Sequence, residues 1–221
     1  MAVVPEPLRR FAERSASSMP ADPRRALFEQ TGEMRLQPDG RWMTFTAEQW
    51  ASLTDVAFCW HARVKMAPLV TAVVEDAFED GHGHLDVKIW GGLRVSHGEG
   101  PEIDRGEVQR YLAELPFFPS AMLTNEALRF DEGPDGAHRV WVGDPECYVD
   151  LHLDEDGDVV RAYTETRPRL GEGPTPWEGR FFDYAVLDGV RLPTRAEVAW
   201  TLDGEPFVYW RGRIASYGWQ T

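Results

Sequence analysis

The chain has 221 residues, two cysteines, nine tryptophans in an aromatic share of 12%, and a formal charge of −14. That acidity, with no stripe of Lys and Arg, argues against a nucleic-acid partner and disfavours binding to an anionic membrane surface. The length suffices to bury a core without disulfides or a structural metal, and no run approaches the ~18 apolar residues of a membrane span.

The first predicted element is a helix over residues 5–18. It opens on Pro5 and Pro7 and sets Leu8, Phe11 and Ala12 at helical spacing, so it should pack on the rest of the fold. The N-terminal stretch has no apolar secretory core and the cysteines have no framework spacing, so a soluble, cytoplasmic protein is expected. Asp-Gly then punctuates the chain at residues 39–40, 80–81, 135–136, 156–157, 188–189 and 203–204. Both residues tolerate the positive φ of tight hairpin turns. The flanks alternate as strands do: Leu85, Val87 and Ile89 share one face, and Val149, Leu151 and Leu153 another. Six such turns predict an antiparallel meander within one domain spanning residues 1–221.

Two pairs on predicted strands carry chemistry-bearing side chains. Cys59 and His61 share a face, as do His82 and His84. Neither pair has a third partner at a recognised spacing, so no metal site and no thiolate nucleophile is expected. With no phosphate-binding Gly loop and no nucleophile elbow, no cofactor is expected either.

The second predicted helix lies near residues 104–115, within "DRGEVQRYLAELPFFP", and stops at Pro116. Asp104 reads as an N-cap, with Glu107 completing a capping-box pair. Arg110 and Glu114 are four apart and meet on one face. Glu107, Arg110, Tyr111 and Glu114 form a polar stripe beside an apolar one of Val108, Leu112 and Leu115. Facing water, the stripe only braces a helix. Buried, a carboxylate against an apolar wall gains a raised pKa and can act as acid or base.

A Gly/Pro-rich connector is predicted near residues 169–180, entering a cluster of Trp177, Glu178, Arg180, Asp183 and Tyr184. Alternation puts Glu178, Arg180 and Phe182 on one face, and Phe181 and Asp183 on the other. In the last hairpin, a two-residue Asp203-Gly204 loop pairs Glu197 with Trp210. A three-residue loop pairs Glu197 with Arg211, because a one-residue shift exchanges the faces.

As a set, "GEMRLQPDGRWMTFTAEQW", "EDGHGHLDVKIWG", "GPEIDRGEVQRYLAELPFFPSAML", "PTPWEGRFFDY" and "LPTRAEVAWTLDGEPFVYWRGRI" resemble an uncharacterised bacterial family known as a domain of unknown function. The positions matching its recurring motifs are Asp104, Glu107, Arg110, Tyr111, Glu114, Trp177, Glu178, Arg180, Asp183, Tyr184, Glu197, Trp200, Trp210 and Arg211. The many hairpins are also similar to lipoprotein-carrier-like half-barrels, which fold a curved sheet around an apolar ligand.

The expected fold is mostly β (α+β), a large curved antiparallel sheet or half-open barrel with an N-terminal helix and the helix near 104–115. The expected function is small-molecule binding, as a cofactor-independent enzyme of specialised metabolism. Glu107 or Glu114 would be its acid or base, and Tyr111 a hydrogen-bond donor. Arg110, Arg180, Trp177, Glu178, Tyr184, Glu197, Trp210 and Arg211 would hold the substrate. The alternative is a carrier for a lipophilic ligand, whose polar clusters staple helix to sheet. A third possibility is an interaction domain with no cavity.

Overall fold

Two-residue alternation of apolar and polar side chains turns most of this chain into strand. Strand β3 (Phe58–Ala67) buries Phe58, Trp60, Ala62 and Val64, while His61, Arg63 and Lys65 face out. The computed structural model describes residues 3–16, 22–90, 92–169 and 171–221. In it β1 (Arg25–Met34), β2 (Met43–Ser52), β3, β4 (Val70–Glu79), β5 (His82–Ile89) and β6 (Leu93–Glu99) form one antiparallel meander. A second runs through β7 (Arg129–Glu132), β8 (His138–Trp141), β9 (Tyr148–Leu153), β10 (Val159–Arg169), β11 (Gly173–Leu187), β12 (Val190–Leu202) and β13 (Glu205–Gln220). The return of β13 beside β1 joins them into one 13-stranded sheet, open at its edges β6 and β7.

Turn chemistry sets the meander. Asp80-Gly81, Asp188-Gly189 and Asp203-Gly204 each form a two-residue loop with both residues at positive φ. That geometry matches the right-handed twist of the flanking strands. The Gly/Pro-rich connector expected at 169–180 is instead mostly paired strand, with Arg169 opposite Gly173 and Pro168 opposite Pro174. Proline lacks a donor, but neither of these faces a second neighbour. β9 follows β10 only as far as Tyr163, and β12 joins β11 only from Trp177.

Helix α1 (Glu6–Ser15) buries Leu8, Phe11, Ala12 and Ser15 and packs against β12; residues 17 and 18 of the predicted helix lie outside the described residues. Helix α2 (Pro101–Glu114) begins at Gly100, whose φ of 109° suits glycine. Asp104 is therefore not the cap. It sits inside the first turn, where its Oδ1 accepts the Gly83 N–H at 2.7 Å and ties the helix to the β4–β5 hairpin. Glu107, Gln109, Tyr111, Leu112 and Ala113 are all buried, and α2 touches β4, β5 and β6 on one arm and β8, β9 and β10 on the other. A helix buried all round lies inside the fold rather than on it. Connecting the two sheet edges, α2 fills the hollow of the curved sheet. After it come a 3-10 turn at Leu115–Phe117 and the short α3 (Ala121–Thr124), which packs on α1.

Candidate functional site

The polar face of α2 does look into the sheet. Arg110 donates through Nε to Glu114 Oε1 at 2.9 Å and through Nη1 to Asp76 Oδ2 on β4. Its guanidinium also lies over the rings of Phe58 and Trp60, 4.8 and 5.3 Å from their centroids. Burial works to lower the Arg110 pKa, but Glu114 first, then Asp76 and Glu107, outweigh it and hold the pKa above its usual value. The chain of contacts continues outward. Gln49 Nε2 donates to Glu114 Oε2, Gln30 Nε2 lies 3.5 Å from Gln49 Oε1, and Trp60 Nε1 donates to Gln30 Oε1 at 2.7 Å.

Glu107 stands one turn earlier on α2 and is 7% exposed. Its Oε1 lies 4.0 Å from Arg167 Nη2, and Glu107 Oε2 and Asp76 Oδ1 are both buried with no other donor, the Glu107 carboxyl being hydrogen-bonded to Asp76 when it carries its proton. Burial, and then the negative charge of Asp76, push the Glu107 carboxyl up to about 8 against the opposing pull of Arg167 and Arg110. Glu107 is therefore not the solvated half of a capping box. It is a buried carboxyl, largely neutral at pH 7.

Beside this network a cavity of about 140 Å³ opens between α2 and the sheet. Trp60, Trp177, Trp210, Phe117, Phe181 and Tyr209 wall it, and Asp76, Arg110, Glu114 and Arg167 line its polar side. The half-buried Met34, Val198 and Trp210 mark its outer margin. The rings are fixed by contacts of their own. Trp177 Nε1 donates to the Tyr209 hydroxyl at 3.0 Å, Phe117 meets Phe181 edge-on at 5.5 Å, and Trp210 stacks on Phe45 at 5.5 Å. Two small residues, Gly179 and Ala196, leave room at its floor. Gly212 is required for a different reason: a Cβ there would come within 2.6 Å of the Trp210 ring.

Irregular pairing supplies much of this lining. A bulge between Thr164 and Arg167 shifts the phase of β10 and turns Arg167 inward. There its Nη1 donates to Gly106 O at 2.6 Å and its guanidinium lies 4.7 Å from the Trp177 centroid. A second bulge, where Val198 faces Trp210 but Ala199 faces Val208, inserts Tyr209 and brings it and Trp210 to the cavity. Bulges commonly re-aim side chains in this way.

Of the predicted site residues, the cavity gathers Arg110, Glu114, Trp177 and Trp210, with Glu107 directly behind them. Tyr111 is a correction. Although on the helix, it is 0% exposed in the main core, where its hydroxyl donates to Ser52 O at 2.8 Å and accepts from Asn125 Nδ2 at 3.0 Å. Its single O–H is committed to Ser52 O in a site closed to solvent, so it has no donor to offer a ligand. Tyr184 packs on Phe11 of α1 and donates to Val159 O at 2.7 Å. Glu178 and Arg180 pair at 2.7 Å, with Arg161 also on Glu178, away from the cavity lining.

Glu197 and Arg211 lie on the outer face of the sheet, also away from the cavity. They do stand opposite each other, yet the Asp203-Gly204 loop has two residues; the bulge at Tyr209, not loop length, produces that register. Arg211 donates to Glu33 Oε1 at 2.6 Å, and Glu197 pairs with Arg195. Asp183, expected to share the side of Phe181, adopts φ 56° and pairs with Arg195 and Arg213 while half exposed.

Sequence reasoning passed over Gln30, Gln49, Asp76 and Arg167. A signal for three of them was present. Each interrupts an otherwise apolar phase: Phe28-x-Gln30 on β1, Ala47-x-Gln49-x-Ala51 on β2, Val74-x-Asp76-x-Phe78 on β4. A polar group in a core-facing register needs a buried partner, and here the partners belong to one network.

This open antiparallel sheet wrapped around a helix is the LolA-like fold. A LolA superfamily protein from Nitrosomonas europaea superposes with a TM-score of 0.52 at 10% identity, over 100% of this chain and 95% of that one. A domain described as an outer membrane lipoprotein-sorting protein from Vibrio parahaemolyticus gives a TM-score of 0.54 at 11% identity, over 97% and 92%. The chain itself belongs to the Family of unknown function DUF6544, whose model matches residues 1–212. No curated protein matches it by sequence. No helix among the described residues is long and apolar enough to cross a membrane.

Proposed function

We propose that this protein binds a lipophilic small molecule in the cavity beneath α2, as a binding protein or carrier rather than an enzyme. The observation that carries this reading is the aromatic-walled space of about 140 Å³ between α2 and the sheet. Its ring-walled part has room for a benzene-sized group, with the charged residues confined to one side. The fold it shares with a LolA superfamily protein and a lipoprotein-sorting domain supports the same class of ligand. An acid–base enzyme fits less well. Tyr111 is committed to Ser52 and Asn125, and both Glu114 oxygens already have donors, which leaves Glu107 alone.

Calorimetric titration with a single-ring probe, toluene, tests the reading. The wild type should take up the probe at one site per chain. Gly179→Leu should bind it more than about tenfold more weakly, because the added side chain occupies the cavity. A Cβ at Gly179 meets only the Phe181 ring, at 3.6 Å, so the variant should fold. Equal uptake by the two proteins would overturn the proposal.

A further inference from the structure

The hydrogen-bonding capacity left over around the cavity is one-sided. Every acceptor in the charged lining is either occupied or sealed. Glu114 accepts from Arg110 and Gln49, Asp76 Oδ2 accepts from Arg110, and Asp76 Oδ1 is shut away from open space. Gln30 Oε1 accepts from Trp60. The spare groups are donors. Among the described residues Arg110 Nη2 has no acceptor, nor does the Tyr209 O–H. Arg167 uses only Nη1, for Gly106 O, and its Nη2 comes no nearer than 4.0 Å to a Glu107 oxygen.

Charge points the same way. Arg110 holds two carboxylates, whereas Arg167 has none within hydrogen-bond distance. A guanidinium withdrawn from water gains most from a bidentate carboxylate in its plane. We infer that the cavity takes an apolar monocarboxylate, its head group on the free edge of Arg167 and its body against Trp177, Phe181 and Trp210. This deepens the proposed function and rests on the cavity being a ligand site.

Glu107 then acts as an internal competitor for Arg167. The groups facing it are Asp76 on β4, Arg110 on α2, Arg167 on β10 and Tyr209 on β13. With its carboxyl up to about 8, Glu107 is mostly neutral at pH 7 and leaves Arg167 to the ligand. At pH 9 Glu107 is mostly ionised and competes for Arg167, so affinity should fall severalfold.

The test is calorimetric titration with a phenylalkanoate, its methyl ester and the matching phenylalkylamine. At pH 7 the carboxylate should bind at least about tenfold tighter than either analogue, and Arg167→Gln should abolish that preference. If Arg167→Gln does not fold, Glu107→Gln decides, since at pH 9 it should bind the carboxylate severalfold tighter than wild type does. An ester or amine that binds as tightly as the carboxylate overturns the inference and leaves the ligand site standing. So does a preference that survives Arg167→Gln, or a Glu107→Gln protein no tighter than wild type at pH 9. If none of the three compounds binds, the ligand-site reading falls, and the inference with it.

Discussion

Two ion-pair networks lie on opposite faces of the sheet, one against α2 and one outside, and are built from the same residue types. The inner one joins Asp76, Arg110 and Glu114, with Glu107 and Arg167 beside them. The outer one joins Glu33 to Arg211, and Asp183 to Arg195 and Arg213. Arg110 keeps 15% of its side chain exposed and Arg213 keeps 62%. That difference sets their energetic weight. Water screens and competes with the outer pairs, which leaves about 0.2–1 kcal/mol each. The inner charges have been taken out of water, so each depends on its partners. A charged motif in a strand therefore says little until its face is known.

The largest expected effect breaks the inner network at its centre. Arg110→Ala would strand Asp76 and Glu114 without their shared cation, and should lower stability by about 3–5 kcal/mol in denaturant unfolding. A loss below about 1 kcal/mol would place the inner network in the same energetic class as the outer one.

The next effect is a pH dependence carried by the inner network. Glu107 holds its proton more tightly folded than unfolded, up to about 8 against an ordinary 4.5. The stability it contributes is fully present below pH 4.5, declines as pH rises, and is lost above about pH 8. Over that window the loss should reach a few kcal/mol at most. Thermal unfolding of Glu107→Gln alongside wild type should show the variant gaining relative stability from pH 5 to pH 9. Parallel curves would mean that Glu107 is no more perturbed than a surface carboxylate.

The smallest effect belongs outside. Arg211→Ala should cost about 1 kcal/mol or less, and the cost should shrink further in high salt. A large, salt-insensitive loss there would erase the distinction between the two faces.

Much of the fold was legible because it rests on local rules. Asp-Gly turns and two-residue alternation specify hairpins wherever they fall, whereas the start of α2 was read at Asp104 and lies at Gly100, ahead of Pro101. The site was legible only in part. Glu107, Arg110 and Glu114 share a helix face by spacing alone, but burial of that face depends on the curvature of strands distant in sequence. Tyr111 was misplaced because a helix enclosed on all sides has no single functional face. Arg167 and Tyr209 owe their positions to bulges, which break the alternation used to assign faces. Loop length left the partner of Glu197 open between Trp210 and Arg211; the bulge at Tyr209 set it opposite Arg211, on the outer face.

Native mass spectrometry of gently purified wild type and Gly179→Leu tests the central claim most directly, because it asks for a ligand and for its location together. The wild type should carry a small lipophilic molecule, released on solvent extraction, and Gly179→Leu should be free of it while remaining folded. The same bound mass on both proteins, or no bound mass and no probe uptake by either, would contradict a ligand site beneath α2.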